Sequence, residues 1–315
     1  MKEFQPFRVV IPASSANLGP GFDSIGLALN RYLQLTFLPH EQLKIQVKGF
    51  GETLPIDENN LIIRVMKKAF DEHGQSLPTF HLSIENEIPL ARGLGSSAAA
   101  IVGGLVAANH LLGNPWNQEQ ILHQATKWED HPDNVGASLY GGVMIGSWDG
   151  HHVKFVQIEP PELDVVVAIP DATLFTKQAR QVLPEFYRRN DAVLVSSRAN
   201  LLTAALLTKR WELLSVAMED YFHQPYRESL VPGLSEALMT ASQEGALGVA
   251  LSGAGPTILA FTQEKERLIA YFESLFSRLE VSAVVESLQT VAEGVKLQLT
   301  EVEECSTFGG KVLGV

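Results

Sequence analysis

Alternating apolar and polar positions recur along the chain and predict a series of strands. Residues 32–38 alternate with a period of two, which is the period of a strand that buries one face. Residues 163–170 are apolar almost without interruption and predict a buried strand. Residues 248–261 predict two strands around a tight glycine turn. The other predicted strands cover residues 7–11 (ending at Pro12), 43–50, 80–88, 141–147, 152–158, 282–290 and 293–299.

A spacing of three to four residues between apolar positions predicts helices elsewhere. Residues 60–74 show this spacing and stop at Gly74. Residues 96–113 are apolar on every side, which predicts a buried central helix that ends near Gly113, just before Pro115. The remaining helices are predicted over residues 117–129, 191–208, 210–222, 233–243 and 264–276.

This mixture of elements predicts an α+β fold with antiparallel strands and with the helices on one face of each sheet. The chain has 315 residues, which is enough for two domains of about 150 residues each. The double proline Pro160–Pro161 is the candidate linker. We therefore expect a first domain over residues 1–160 and a second over residues 161–315.

Composition limits the partners that the protein can have. The net charge is −12, which argues against binding of nucleic acid or anionic membranes, because a basic face would supply that affinity. The single cysteine, Cys305, excludes a disulfide framework and indicates a reducing compartment. The first residues lack the apolar core of a signal peptide, and the longest uncharged apolar stretch, Ala98–Ala108, is too short to span a bilayer. We expect a soluble cytoplasmic protein.

The most informative chemistry lies at the start of the apolar helix. Arg92 to Gly95 form a glycine-containing loop directly before this helix, and Ser96 and Ser97 follow in its first turn. Backbone N–H groups of a first helical turn have no intrahelical partner, and the helix dipole is positive there. The loop therefore predicts an anion-binding site, although serine at a helix start is also a common structural cap.

The surroundings of this loop exclude several common interpretations. GLGSSA approaches the dinucleotide pattern G-x-G-x-x-G/A, but residues 86–92 separate the preceding strand from the first glycine. The stretch 111–118, about 20 residues later, offers neither a strand nor an acidic residue. No lysine follows the glycines as it would in a Walker motif, and the chain contains neither G-x-S-x-G nor H-E-x-x-H.

Three motifs together resemble the family of small-molecule kinases that groups galactokinase, homoserine kinase, mevalonate kinase and phosphomevalonate kinase. They are VIPASSANLGPGFDSIGLAL, PLARGLGSSAA and LSGAGPTILAF, in this order over about 250 residues. The resemblance implies an N-terminal domain like that of ribosomal protein S5, a C-terminal ferredoxin-like domain and an active site between them. It also implies ATP as co-substrate, Mg²⁺ and a homodimer.

Further stretches are similar to the homoserine kinases of this family. They are PASSANLGPGFD, HPDNV, TKQARQVLP and FHQPYRESLVPGL, and the similarity extends over almost the whole chain. It implies ATP-dependent phosphorylation of the side-chain hydroxyl of L-homoserine to O-phospho-L-homoserine, in threonine biosynthesis. Two alternatives stay open. One is a sister kinase acting on mevalonate, a diphosphocytidyl-polyol or a sugar, and the other is a non-catalytic sensor that binds its ligand on the same fold.

For the nucleotide, the resemblance implies a phosphate cradle in residues 89–99, with Ser97 and Glu129 as Mg²⁺ ligands. A hydroxyl, a carboxylate and phosphate oxygens form a donor set that suits Mg²⁺, and Asp130 is the competing carboxylate. Asn60 is expected to hydrogen-bond adenine, with a role in helix capping as the alternative. The expected ATP-binding residues are Asn60, Pro89, Leu90, Ala91, Arg92, Gly93, Leu94, Gly95, Ser96, Ser97, Ala98, Ala99, Gly253, Ala254 and Gly255.

For the acceptor, the resemblance implies that Arg180 and Arg227 bind the substrate carboxylate, with Thr176 nearby. Asn17 and Asp23 are expected to hold the amino group and the hydroxyl of the substrate. Asparagine and aspartate in a glycine-rich loop are also common turn residues, so that alternative stays open.

The catalytic group is expected in the stretch HPDN, which by its composition alone predicts a turn. An aspartate at the position of Asp133 serves as base to the attacking hydroxyl in related kinases. His131 is expected to orient the substrate or to assist catalysis, and Asn134 completes the group.

Overall fold

The computed structural model describes residues 4–300, so Cys305 lies outside the described residues. Within this range the strands form two sheets, and helices pack against both of them. All strand pairs are antiparallel except one parallel pair in the first sheet. The α+β architecture predicted from the sequence is thereby confirmed.

The first sheet contains seven of the strands described between residues 4 and 300. They are β1 (Phe7–Asn17), β2 (Gly21–Pro39), β3 (Lys44–Gly49), β4 (Phe80–Asn86), β5 (Val143–Trp148), β6 (Val153–Ile158) and β11 (Lys296–Leu299). Five of them follow the order β11-β1-β2-β4-β3, in which β3 and β4 are parallel. β5 pairs with β2, and β6 pairs with β5.

Two of these strands are longer than the predicted ones. β2 has 19 residues and pairs first with β5, through Ile25–Leu27, and then with β4, through Leu33–Pro39. Its first half lies in a glycine-rich stretch without a period of two, so only the second half was predicted. β1 does not end at Pro12 but continues to Asn17, because a register shift after Pro12 accommodates a residue that has no amide N–H.

The helices of the first sheet surround a buried central one. They are α1 (Leu61–Glu72), α2 (Ser96–Leu111), α3 (Gln118–Glu129) and α4 (Asp133–Tyr140). α2 contacts β1 and the other three helices and buries most of its side chains, which confirms the prediction of a central helix. A Cβ atom on Gly103 would lie 2.7 Å from Cδ1 of Leu35, so the missing side chain lets α2 lie close to the sheet.

α4 corrects the prediction of a turn at HPDN. The helix begins within that stretch, at Asp133, and its Val135, Ala137 and Leu139 are completely or almost completely buried against the first sheet. Eight residues are too few for a periodic pattern, and tertiary packing supplies the stability that the local sequence does not indicate.

The second sheet contains four strands of the described chain in the order β10-β7-β9-β8. They are β7 (Asp164–Pro170), β8 (Ala246–Leu251), β9 (Ile258–Thr262) and β10 (Ala283–Leu288). Their bounds follow the predicted strands closely, and β8 and β9 flank the predicted glycine turn.

Six helices described between residues 4 and 300 belong to the second half of the chain. They are α5 (Thr176–Gln181), α6 (Arg189–Thr208), α7 (Leu214–Ala217), α8 (Gln224–Arg227), α9 (Leu234–Thr240) and α10 (Lys265–Arg278). The helix predicted over 210–222 is shorter because Asp220 accepts hydrogen bonds from the backbone N–H groups of Phe222 and His223. An aspartate that binds following amides in this way ends one helix and prepares the next.

Helices cover both faces of this second sheet, so the expectation of helices on one face of each sheet is wrong here. Val166 and Ala168 of β7 share a core with Phe272 of α10. Val165 and Val167, which point the other way, share a core with helices α6 and α7. The sequence of β7 is apolar without alternation, so both faces of this strand are apolar. This is typical of a strand that is buried on both sides.

After β10 the chain returns from the second sheet to the first. β11 pairs with β1, although it follows β10 in sequence. The backbone N–H of Asn30 donates to the carbonyl of Gln289 at 3.0 Å, and Arg31 forms an ion pair with Glu286. The two sheets are therefore joined by several separate connections. None of the helices between residues 4 and 300 has the length and apolar character needed to cross a membrane.

Candidate active site

A cavity of about 650 Å³ lies between the two sheets, at the N-terminus of α2. All sequence-predicted site residues line it except Ala99, which is buried in the core. Asp130, the competitor of Glu129, is exposed at the end of α3 and does not line the cavity either. The three motifs, which are far apart in sequence, thus form one site.

The glycine-containing loop presents an open helix N-terminus to this cavity. Gly95 is the N-cap of α2 with φ of 73°, and no side chain caps the first turn. A Cβ atom on Gly95 would lie 2.2 Å from Oγ of Ser14, and one on Gly93 would lie 2.2 Å from the carbonyl oxygen of Ser252. Glycine is therefore required at both positions, and the free N–H groups of the turn form an anion site.

Hydrogen bonds of buried serines join this loop to the other two motifs. Oγ of Ser252 lies 2.6 Å from the carbonyl oxygen of Gly93 and 2.8 Å from Oγ of Ser15. Ser14 donates to Oδ1 of Asn134 at 3.0 Å and accepts from Ser138 at 3.2 Å. These contacts hold β1, the loop, the β8–β9 turn and α4 in fixed positions around the cavity.

Glu129 has a carboxylate oxygen that suits a cation. Its Oε1 atom is buried and has no hydrogen-bond partner in the described part of the chain. Its Oε2 atom lies 3.8 Å from Nε2 of His131. Ser97 lines the same cavity in the first turn of α2. An orphaned carboxylate oxygen and a hydroxyl beside a phosphate site fit Mg²⁺, which prefers oxygen ligands and keeps several waters.

His131 and Asp133 form a buried hydrogen-bonded pair. Nδ1 of His131 lies 2.5 Å from Oδ1 of Asp133, which also accepts from the backbone N–H of Asn134 at 2.7 Å. Burial favours neutral His131, but the negative charges of Asp133, Asp23 and Glu129 outweigh it and raise the pKa of His131 to about 9. The imidazole is therefore a cation at neutral pH and leaves Oδ2 of Asp133 for another partner.

Asp23 and Arg180 bind each other with two parallel hydrogen bonds. Nη2 of Arg180 lies 2.7 Å from Oδ1 of Asp23, and Nη1 lies 3.0 Å from Oδ2. Asn17 accepts the backbone N–H of Asp23 at 3.0 Å and donates to the carbonyl of Gly253 at 2.9 Å. Both side chains of the pair are partly exposed to the cavity, so a ligand can reach them.

Arg227 is the largest of the fully buried side chains, with 2% of its surface exposed. It donates to the carbonyl oxygens of Ala179 and Gly253 and to Nδ1 of His223, at 3.0–3.1 Å. Burial and the positive charge of Arg180 lower its pKa to about 10, so it stays charged at neutral pH. Among the described residues no carboxylate forms an ion pair with it, although the more distant charges of Asp23 and Asp220 favour its charged form.

The far end of the cavity is apolar and contains Asn60. This residue caps α1: Oδ1 accepts from the N–H of Ile62 at 3.0 Å, and Nδ2 donates to the carbonyl of Pro55 at 2.8 Å. The capping alternative for Asn60 is thereby observed. The apolar side chains around it include Val47, Phe50, Leu54, Ile84 and Leu90, which form a surface suited to a planar base.

Several lining residues escaped the sequence prediction. Phe50 and Leu54 lie in a stretch without any motif, and Lys177 follows Thr176 as one of many exposed lysines. Phe22 lies in the motif PASSANLGPGFD, between Gly21 and Asp23, and an aromatic residue beside a predicted charged group is a sequence signal for a lining residue.

Comparison with known families supports the same two-part organisation. Residues 60–142 match the model described as GHMP kinases N terminal domain, and residues 202–278 match GHMP kinases C terminal. The first match covers α1 to α4 with β4 of the first sheet, and the second covers the end of α6 and α7 to α10 with β8 and β9 of the second sheet.

Whole-chain relatives agree with these matches. The homoserine kinase of Carboxydothermus hydrogenoformans is 46% identical over 279 residues, which are 88% of this chain and 92% of that protein. The homoserine kinase of Deinococcus radiodurans is 49% identical over 263 residues, 83% and 86% of the two chains. The crystal structure of homoserine kinase from Cytophaga hutchinsonii has a TM-score of 0.82 and 28% identity, covering 95% of this chain and 99% of that one. The chain therefore belongs to the GHMP kinase family and, within it, to the homoserine kinases.

Proposed function

We propose that the protein transfers the γ-phosphoryl group of ATP to the side-chain hydroxyl of L-homoserine, releasing ADP and O-phospho-L-homoserine. The observation that carries the proposal is a single cavity lined by an uncapped helix N-terminus and by two arginines and an aspartate. The first feature suits a triphosphate, and the second suits the two charges of an α-amino acid. The similarity to homoserine kinases supports this choice of acceptor.

The nucleotide is expected to place its phosphates at the first turn of α2 and its base in the apolar end of the cavity. Ser97 and Glu129 would hold Mg²⁺, which neutralises phosphate charge when it is bound. The loop glycines bring backbone N–H groups close to the phosphates without competing side chains. Gly253, Ala254 and Gly255 complete the cavity wall at the β8–β9 turn.

The acceptor needs charged partners because homoserine has almost no apolar surface to bury. Arg180 and Arg227 are proposed to bind its carboxylate, and Asp23 its ammonium group, each through charge-assisted hydrogen bonds of about 1.5–3 kcal/mol. Asn17 would orient Asp23 rather than contact the substrate, since its amide already binds the backbone of Asp23 and Gly253.

Proton transfer is assigned to Asp133. The hydroxyl oxygen of the acceptor forms the new bond to the γ-phosphorus, the bond to the β,γ-bridging oxygen breaks, and the hydroxyl proton passes to Oδ2 of Asp133. His131 and Asn134 hold Oδ1 and so fix the orientation of the carboxylate. Because the transition state of phosphoryl transfer is loose, little deprotonation is needed early, and the base contributes without being indispensable.

A coupled assay of ADP release tests the function. The protein is supplied with ATP, Mg²⁺ and, in separate reactions, L-homoserine, mevalonate or galactose. We expect turnover with homoserine only. Turnover with another acceptor instead would support a sister kinase, and ligand binding without any turnover would support the sensor alternative.

The product would place the protein in threonine biosynthesis. The family resemblance also supports a cytoplasmic homodimer. Light scattering on the purified protein measures its mass and so tests the dimer. A monomer over the whole concentration range would contradict that part of the proposal.

A further inference from the structure

Phe22 lies against both arginines of the acceptor end, and the chemistry above gives it no role. The Cζ atom of Arg180 lies 5.4 Å from the centroid of its ring, and that of Arg227 lies 5.5 Å from it. Both distances are within the range over which a guanidinium is attracted to an aromatic ring. One ring therefore contacts two cations that come from different helices, α5 and α8.

Other aromatic side chains hold this ring in place. The ring centroids of Phe222 and His223 lie 5.2 and 5.1 Å from that of Phe22. Phe222 in turn stacks on Tyr187 at 4.2 Å, with the two planes nearly parallel. Contacts of this kind restrict movement of the ring, so Phe22 offers the arginines a fixed surface.

The two guanidinium groups need such a surface because they repel each other. Asp23 neutralises Arg180, but none of the described residues forms an ion pair with Arg227. The face of an aromatic ring is electron-rich and attracts a cation without using its N–H donors. Contact with Phe22 therefore keeps both groups together and leaves donors for a ligand.

We propose that Phe22 is a positioning residue for the acceptor: its ring holds the guanidinium groups of Arg180 and Arg227 at the separation at which both bind one carboxylate. The inference rests on the proposed function, because it concerns the acceptor end of the same cavity. Phe22 acts through the two arginines and not on the reacting atoms.

Two variants separate the effect of the ring from that of its volume. Phe22→Met keeps an apolar side chain and removes the ring, whereas Phe22→Tyr keeps the ring and serves as the matched control. For Phe22→Met we expect the KM for L-homoserine to rise about tenfold, which corresponds to about 1.4 kcal/mol. The kcat and the KM for ATP should stay within about twofold of wild type, and Phe22→Tyr should behave like wild type.

A double-mutant cycle tests whether Phe22 acts through Arg180. In an Arg180→Ala background, Phe22→Met should lower kcat/KM for homoserine by less than about threefold further, because the contact that it removes is already partly lost. A full tenfold further loss would show that the ring acts independently of this arginine and would overturn the inference.

The experiment distinguishes this inference from the proposed function. Absence of homoserine turnover by the wild-type protein rejects the function itself. Wild-type turnover with an unchanged homoserine KM in Phe22→Met rejects only the role of Phe22, and so does an equal rise in the KM for ATP. If circular dichroism finds Phe22→Met unfolded, Phe222→Leu replaces it, since this change removes the support of the ring. A homoserine KM that is unchanged there also rejects the inference.

Discussion

Glu129 has a buried carboxylate oxygen without a hydrogen-bond partner in the described part of the chain, and this makes it the most direct test of the metal site. Glu129→Gln removes the charge and should lower kcat at least about 100-fold, because negative charge is needed to hold Mg²⁺ near the phosphates. Ser97→Ala should act in the same direction with a smaller effect. The measurement is kcat across an Mg²⁺ titration.

The neighbouring Asp130 provides the control for Glu129. It is exposed, does not line the cavity and has φ of 66°, a conformation that asparagine tolerates. Asp130→Asn should therefore keep normal activity. Normal turnover in Glu129→Gln with loss in Asp130→Asn would exchange the roles of the two carboxylates.

Arg180 and Arg227 differ in burial, so their loss should have different consequences. Arg180→Ala should lower kcat/KM for homoserine by roughly 10- to 150-fold with little change in the free energy of unfolding, because its side chain is partly exposed. Arg227→Ala should lower both quantities. It removes the Arg227 donor from the carbonyl of Ala179 and one of the two donors from the carbonyl of Gly253, which keeps the amide of Asn17, at a cost of about 2 kcal/mol or more in unfolding free energy.

Steady-state kinetics and urea unfolding check this pair of expectations. The ATP KM serves as internal control, since neither arginine belongs to the phosphate loop. Homoserine efficiency within about twofold of wild type in both variants, well under 1 kcal/mol, would exclude the carboxylate-binding role.

His223 should make the fold sensitive to acid. Its Nε2–H donates to the carbonyl of Gly19 at 2.9 Å, and its Nδ1 accepts from Arg227, so the folded state requires the neutral ring. Burial lowers the pKa of His223, whereas the unfolded chain binds a proton near the ordinary value of about 6.5. The free energy of unfolding should thus be highest above this value and fall as the pH drops below it, by at most about 1.4 kcal/mol per pH unit.

The variant His223→Gln isolates this contribution, because glutamine retains a donor for Gly19 and does not titrate. The free energy of unfolding, measured with urea between pH 5 and 7.5, should depend less on pH in the variant than in the wild-type protein. Parallel curves for the two proteins would mean that His223 titrates alike in both states.

At the residue scale the sequence indicated which side chains share the cavity but not which of them bind each other. Motif resemblance brought Asp23 and Arg180 to one site, and the structure adds their mutual ion pair across 157 positions of sequence. Such a pairing depends on the relative position of two sheets, which no local pattern encodes. The capping role of Asn60, by contrast, is local, and the sequence alone offers it as an alternative.

At the element scale, the start of α2 depends on a residue without a side chain. Gly95→Ala would place a Cβ atom 2.2 Å from Oγ of Ser14, so the phosphate loop must move. We expect the ATP KM to rise more than about tenfold. This rise is separate from the strain of about 1–2 kcal/mol that any alanine in the left-handed conformation carries. Gly113→Ala, at the other end of the helix, is the control.

Gly113 has φ of 86° and nothing within 4 Å of its added Cβ atom, so it shares the strain but not the collision. Its variant should lose stability by about 1–2 kcal/mol and keep the wild-type ATP KM. Equal ATP KM values in the two variants would show that the loop tolerates the displacement.

Elements were predicted well where their hydrophobic signal was long and poorly where it was short or absent. The 16 residues of α2 are all covered by the predicted helix, while α4 begins in the stretch HPDN, whose composition indicates a turn. The first half of β2 was missed since its pairing with β5 is a tertiary contact and its sequence contains no alternation. In each case packing against a distant element, not local propensity, decides the structure.

At the scale of the whole molecule, the two sheets should unfold together. One apolar core contains residues of both sheets, and β11 ties Lys296–Leu299 to β1. Trp211 precedes α7 in the second half, whereas Trp116, Trp128 and Trp148 lie in the first. The fluorescence of Trp211→Phe therefore reports on the first half, and that of a variant that retains only Trp211 reports on the second. In each variant the urea midpoint from fluorescence should coincide with the midpoint from circular dichroism.

Two transitions would contradict this expectation. If fluorescence and circular dichroism give different midpoints within one variant, the halves unfold independently and the connections between the sheets contribute little. Because the two probes are compared within one variant, a change in stability caused by the substitutions themselves shifts both midpoints alike.

The return of β11 to the first sheet also has a consequence for synthesis on the ribosome. β1 and β2 emerge early, but the free edge of β1 must wait for Lys296–Leu299. At about 5–20 residues per second this wait lasts roughly ten seconds to a minute. An unpaired strand edge readily pairs with another chain, so nascent copies on one messenger are exposed to mutual aggregation during that time. We expect this edge to be a preferred binding place for chaperones that act on unfinished chains.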